Sequence, residues 1–199
     1  KNFRSSEDST GNHTELVVLS LEELLKKETP PRQNLLSPWL PSQGLCMIYA
    51  TRDTGKTWVA LSIAYAVASG GNFLNWKAEK ATGVLYIDGE MSLVVMKERL
   101  SLIVMSEEKE IQAPFNFLTP DVQEFGIPDL STIAGQERID KLITEETKLI
   151  VIDNLSTLTR TGKENEGESW LPVQEWALGL RRRGISVLFI HHAGKAGQQ

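Results

Sequence analysis

A phosphate-binding loop is the clearest chemical feature of the sequence. Residues 50–57 read A-T-R-D-T-G-K-T, which fits the pattern x-x-x-x-x-G-K-[ST]. An apolar run, 45–49, precedes the loop, and a helix-forming run, 58–64, follows it. Because this strand, loop and helix order is the context in which such a loop binds phosphate, we expect a nucleotide site here.

The residues of this loop have distinct expected roles. Backbone N–H groups and the start of the following helix attract phosphate, Lys56 reaches the β- and γ-phosphates, and the Thr57 hydroxyl binds Mg²⁺. Ala50 stands where the pattern expects Gly, so a positive φ there would be strained. The expected nucleotide-binding residues are Thr51, Arg52, Asp53, Thr54, Gly55, Lys56, Thr57 and Trp58.

Carboxylates end two further apolar runs. Asp153 follows four apolar residues, which is typical of a buried parallel strand that delivers an acid to the ligand-binding edge of a sheet. Beside a phosphate loop, we expect Asp153 to anchor Mg²⁺, directly or through a water. Asp88 and Glu90 lie two apart after another such run. We expect Glu90 to take a proton from the attacking water and Asp88 to cap the next helix.

Two adjacent histidines, His191 and His192, end a fourth apolar run. Neighbouring strand residues face opposite ways, so only one can point at a nucleotide. An imidazole in that place could donate a hydrogen bond to the γ-phosphate and so report its presence. Zinc is not expected, because no cysteine or further histidine accompanies the pair, His13 being in the N-terminal tail.

Composition restricts the class of protein. The 199 residues, 41% hydrophobic and 24% charged, are typical of one large soluble domain. A single cysteine, Cys46, is expected to be a small buried apolar residue, and the lack of a disulfide framework favours the cytoplasm. No apolar stretch is long enough to predict a membrane helix. The net charge of −5 argues against a protein that coats nucleic acid, although a local basic channel remains compatible with it.

Alternating short and long apolar runs predict an α/β fold with a mainly parallel sheet and helices on both faces. We expect a disordered tail over 1–14, a helix capped by Ser20 and Glu23 with a proline linker over 15–34, and the core over 35–199. The arginines before Gly184 indicate a helix end rather than a DNA-binding patch. Predicted strands are 45–49, 84–88, 115–118, 149–153 and 187–191, and predicted helices are 56–69, 93–105, 134–145 and 170–183. Trp58, Trp170 and Trp176 are expected to be core anchors.

In these motifs the chain resembles the RecA-like P-loop ATPases of the RepA-type hexameric replicative helicase (AAA ATPase) family. The resemblance extends from about residue 35 to the end and includes 51–57, 84–90, 149–153 and 187–195. It implies that Glu90 activates water and that His192, rather than His191, is the sensing residue. It also implies ATP sites shared between subunits of a homo-oligomer, with an arginine finger and the last strands of the fold beyond Gln199.

The resemblance further implies that two loops, 159–167 and 193–197, line a channel for single-stranded DNA. Lys195 is the best candidate contact, with Lys163 and Arg160 in the first loop, where charges nearly cancel and aromatic residues are lacking. The leading hypothesis is an Mg²⁺-dependent ATPase that moves on nucleic acid. An ATP-dependent assembly switch without helicase activity is the alternative, and a small-molecule kinase ranks last.

Overall fold

The computed structural model describes residues 16–29, 31, 33–160 and 166–193. The chain divides into two units, Lys1–Pro31 and Arg32–Gln199. In the first unit, helix α1 (Leu21–Lys26) begins after Ser20, whose hydroxyl accepts from the Glu23 backbone N–H while the Glu23 carboxylate accepts from that of Ser20. The predicted capping box is therefore confirmed.

The second unit is built on a sheet of five parallel strands, which are β3 (Leu45–Ala50), β6 (Gly83–Asp88), β7 (Phe115–Leu118), β8 (Thr147–Asp153) and β9 (Ser186–His192). Their order in the sheet is β3-β9-β8-β6-β7. The three central strands are apolar and almost fully buried, as expected for strands covered on both faces. The predicted α/β fold is confirmed as a RecA-like P-loop NTPase fold.

Helices cover both faces of this sheet. Successive side chains of a strand point to opposite faces of the sheet, and each face has its own apolar core. Val151, for example, belongs to one core and Ile152 to the other. One face carries α2 (Lys56–Ser69) and α3 (Leu93–Ser106), and the other carries α4 (Ile133–Asp140), α5 (Leu155–Leu158) and α6 (Glu166–Arg182).

The segment before β3 forms a hairpin. Strand β1 (Asn34–Leu36) pairs antiparallel with β2 (Leu40–Pro41), and the Ser37–Pro38 peptide bond between them is cis. Leucines of both strands lie in the core. A second small hairpin, β4 (Asn72–Phe73) with β5 (Trp76–Lys77), follows α2, and a 3-10 turn, Pro120–Val122, follows β7.

Two helix boundaries differ from the sequence-based prediction. Helix α4 ends at Asp140 because Leu142 and Ile143 donate their backbone N–H groups within tight turns. Helix α6 begins at Glu166, four residues before the predicted start, and continues through Pro172. Its end lies within one residue of the predicted one, since α6 stops at Arg182, and Gly184 follows with a φ of +86°.

Side-chain burial corrects two further expectations. Cys46 is half-buried rather than buried. Trp58 is not a core anchor, because 36% of it is exposed. Trp176 does lie in the core, and Trp170 packs against Phe189.

Candidate functional site

The loop between β3 and α2 has the backbone shape of a phosphate cradle. Strand β3 runs as far as Ala50, which pairs with His192 of β9, so the anticipated strain at Ala50 does not arise. The left-handed conformations occur instead at Asp53, with φ +61°, and at Gly55, with φ +84°. A Cβ at Gly55 would meet nothing within 4 Å. The glycine that the motif does contain, Gly55, therefore adopts a left-handed conformation, and Ala50 does not need to.

The first turn of α2 has donors available for an anion. No side chain caps this helix and its first turn has no acidic residue, so backbone N–H groups of that turn lack intrahelical acceptors. The Lys56 ammonium donates to the carbonyl oxygen of Thr51, and the Thr54 hydroxyl donates to the same oxygen at 2.9 Å. The positive charge of Lys56 and the free N–H donors therefore lie together at the start of α2, where they can bind a phosphate.

Strand register brings the acidic residues to the same edge. Asp88 of β6 is paired with Asp153 of β8, and the Gly89 N–H donates to the Asp153 carbonyl at 2.8 Å. A cavity of ≈ 430 Å³ opens between these strand ends and the phosphate loop. It is lined by Asp53, Thr54, Gly55, Lys56, Thr57, Trp58, Asp88, Glu90, Met91, Arg99, Asp153, Asn154 and His192.

Asp153 is buried and hydrogen-bonded at the centre of the site. Tyr86 donates its hydroxyl to Asp153 Oδ2 at 2.7 Å. Burial raises the pKa of Asp153, while hydrogen bonds from Tyr86 and Thr57 act in the opposite direction. Thr57 and Asp153 line the same cavity, so two oxygen ligands suited to Mg²⁺ are available there.

Asp88 does not cap helix α3 as expected, because Ser92 is the N-cap of that helix. Its carboxylate instead accepts from the backbone N–H of Met91 at 3.0 Å and of Glu90 at 3.4 Å. Asp88 therefore shapes the turn that carries Glu90. Burial raises the pKa of Asp88 to about 6, although these N–H groups lower it.

The two histidines have different surroundings. His192 lines the cavity, and its Nε2 lies 3.0 Å from Asn154 Nδ2 and 4.0 Å from Glu90 Oε2. His191 stacks on Tyr49, with ring centroids 5.8 Å apart. Burial, followed by the charge of Lys56, lowers the pKa of His192, which favours the neutral imidazole.

A comparison with family models adds to this geometry. A model described as an AAA domain matches residues 12–198, almost the whole chain. The chain belongs to the AAA domain family. A search of curated proteins found no match. Fold and family together make this AAA domain a P-loop ATPase-like domain that binds nucleotide.

The residues of the AAA domain fit a nucleotide together with Mg²⁺. Within the described part of the chain, no group of three or more His, Cys, Asp or Glu residues could hold a metal ion by itself. Mg²⁺ usually takes only one or two protein ligands and shares substrate phosphates. The Thr57 hydroxyl and the Asp153 carboxylate, which line the same cavity as Lys56, are a donor set of that kind.

Some expected site residues of the AAA domain lie apart from the cavity or outside the described residues. Thr51 and Arg52 do not line the cavity, although the Thr51 carbonyl holds Lys56. Arg160 is exposed, and its Nε donates to the Thr157 carbonyl at 3.3 Å. Lys163 and Lys195 lie outside the described residues. None of the helices in the described ranges is long and apolar enough to cross a membrane.

The sequence analysis did not single out Met91, Arg99 and Asn154, which line the cavity, or Tyr86, which holds Asp153. Tyr86 reads as an ordinary core aromatic, and Asn154 as the residue that follows an acid. Arg99 lies 5.3 Å from the centroid of the Trp58 ring. The polar Asn154 directly after an apolar strand was a signal that could have been used, whereas nothing local indicates Tyr86 or Arg99.

Proposed function

We propose that this AAA domain hydrolyses ATP with Mg²⁺ and that hydrolysis drives movement on single-stranded DNA within a homo-oligomer. The main support for ATP hydrolysis is that five side chains with suitable chemistry line one cavity. They are Lys56, Thr57, Glu90, Asp153 and His192, which come from the start of α2, the turn after β6, and the ends of β8 and β9.

Each of these residues has a defined task in the proposed reaction. Lys56 neutralises charge on the phosphates, and the loop N–H groups hold them in place. Glu90, whose side chain is 62% exposed, can accept a proton from a water at the mouth of the cavity. When bound, Mg²⁺ would stabilise charge on the phosphate oxygens, held by Thr57 and Asp153. His192 has a lowered pKa, so its neutral ring has one N–H to donate.

The nucleic-acid part of the proposal rests on the resemblance to hexameric helicases. Arg160 follows α5 and is exposed, as a channel-facing cation would need to be. The hexamer and the DNA contacts at Lys163 and Lys195 come from the same resemblance.

An ATP-dependent assembly switch is the second candidate. The net charge of −5 disfavours a DNA-tracking surface. In addition, Arg160 donates its Nε to a carbonyl of its own chain. In this reading ATP binding drives assembly, and hydrolysis resets it.

ATP turnover in two lysine variants tests the hydrolysis. Lys56→Ala removes the ammonium at the N-terminal end of α2, and turnover should fall by about 100-fold or more. Lys109→Ala is the matched control, because Lys109 donates at 2.5 Å to the carbonyl of Gly70, the residue that caps the other end of α2. Unchanged turnover in Lys56→Ala would refute the assignment.

A titration with single-stranded DNA separates the motor from the switch. Single-stranded DNA should raise the ATPase rate of a motor several-fold, and this stimulation should depend strongly on salt. The ATPase rate of a switch should not change when DNA is added. Native mass measurement with and without ATP reports assembly in parallel. An ATPase rate unaffected by DNA, combined with ATP-dependent assembly, would replace the motor by the switch.

A further inference from the structure

Asn154 joins two of the proposed functional residues through one amide group. It follows Asp153 and is 3% exposed. Its Nδ2 donates to Glu90 Oε2 at 2.6 Å and lies 3.0 Å from His192 Nε2. Its Oδ1 accepts a hydrogen bond from the backbone N–H of Thr157 at 3.1 Å, so Asn154 caps the start of helix α5.

These contacts determine the orientation of the Asn154 amide. The opposite orientation would place Oδ1 against the Glu90 carboxylate and Nδ2 against the Thr157 N–H, so that acceptor would face acceptor and donor would face donor. Nδ2 therefore faces Glu90 and His192. Because an NH₂ group only donates, Nε2 of His192 must accept, and the proton of the neutral ring lies on Nδ1.

This assignment constrains how His192 can recognise a phosphate. Its Nδ1 is buried and has no hydrogen-bond partner among the residues that the structure describes. A phosphate oxygen in the cavity can engage a ring N–H only if the imidazole turns or the proton moves to Nε2. Either change breaks the contact between Nε2 and Asn154 Nδ2.

We propose that Asn154 is a positioning residue that couples His192 to Glu90 during ATP turnover. One amide holds both side chains, so a change at the histidine alters the hydrogen bonding of the carboxylate that faces the attacking water. The proposal deepens the ATPase function and rests on it. In this role Asn154 acts through the two side chains beside its amide, Glu90 and His192.

Two substitutions of Asn154 isolate this role. Asn154→Asp and Asn154→Ser both keep an oxygen that can cap α5, and both remove the N–H donors. Only the aspartate adds charge, so an effect common to both variants reflects the lost donors. Thr157→Val is the structural control, since it removes the Thr157 hydroxyl bond to the Asn154 carbonyl, 3.0 Å long, and leaves the amide intact.

The measurements are ATP turnover, affinity for a fluorescent ATP analogue, and the tautomer of His192 by ¹⁵N NMR of the ligand-free protein. We expect kcat to fall by about 10-fold or more in both Asn154 variants, with affinity changed by less than about three-fold. His192 should carry its proton on Nδ1 in the wild-type protein and lose that preference in both variants. Thr157→Val should retain the wild-type tautomer and turnover.

Two results would overturn the proposal. One is a wild-type His192 with its proton on Nε2, and the other is an equal loss of kcat in Thr157→Val, which would indicate a purely structural role. If the wild-type protein neither binds nor hydrolyses ATP, the ATPase function itself fails. The tautomer measurement needs no nucleotide, so it still decides whether Asn154 holds His192 as proposed.

Discussion

The hydroxyl of Tyr86 donates a 2.7 Å hydrogen bond to Asp153 Oδ2, across two neighbouring strands in the interior of the sheet. Burial and the negative charge of Asp153 raise the pKa of Tyr86 well above its ordinary value, so the phenol keeps its proton and remains a donor. The proposed Mg²⁺ ligand is thus held by a residue that lies wholly in the core.

Removal of the Tyr86 hydroxyl should therefore cost more than removal of a comparable hydroxyl elsewhere. Tyr86→Phe should lower the free energy of unfolding by about 1.5–3 kcal/mol, because the lost bond is to a charged, buried group. Tyr65→Phe is the control, since its hydroxyl donates to the neutral Lys109 carbonyl at 2.9 Å, and it should cost about 0.5–1.5 kcal/mol. Equal costs in urea denaturation would contradict the charged-acceptor assignment.

Gly55→Ala should separate backbone strain from phosphate binding. Gly55 and Gly184 have φ values of +84° and +86°, and a Cβ at either would meet nothing within 4 Å. Alanine at either position should therefore cost about 1–2 kcal/mol of stability. Only Gly55→Ala should weaken ATP binding, by about 10-fold or more, because Gly55 lines the cavity. Similar ATP affinities in the two variants would argue against the phosphate cradle.

Asp88 should give a measurable pH dependence of stability. Burial raises the pKa of Asp88 from 3.8 to about 6 in the folded state. The folded protein then binds this proton more tightly than the unfolded chain does, so protonation of Asp88 stabilises the fold. This contribution to the free energy of unfolding is fully present below the unfolded pKa and is lost as pH rises through the folded pKa. Asp88→Asn removes that titration. The stability of Asp88→Asn relative to wild type should consequently increase from about pH 4 to about pH 7, and a constant difference would refute the raised pKa.

Trp58 should report nucleotide binding through its fluorescence. It is 36% exposed, lines the cavity and lies beneath the Arg99 guanidinium. ATP should change the emission of the wild-type protein, and Trp58→Phe should remove most of that change. Trp76→Phe is the control, because Trp76 packs against Trp39 and Phe73 and is not among the residues that line the cavity. An ATP response that survives Trp58→Phe would show that the nucleotide lies elsewhere.

Much of the fold was predictable because its signals are local. The apolar runs gave the five sheet strands to within about two residues at each end. Helix α2 begins at Lys56 and ends at Ser69, as the loop motif and the following Gly70 indicated. The end of α4 was predicted five residues too late, because the tight turns after Asp140 carry no strong turn residue.

The sequence by itself determined which groups stand at strand ends, namely Asp153 and His192, and that a phosphate loop precedes a helix. Strand periodicity and a short motif suffice for that. Only the tertiary structure decided that Tyr86 holds Asp153 and that Asn154 links Glu90 to His192. The physical reason is that such contacts depend on which strands are neighbours and in what register. The contacting residues are 38 to 67 positions apart, so no local sequence pattern indicates that they meet.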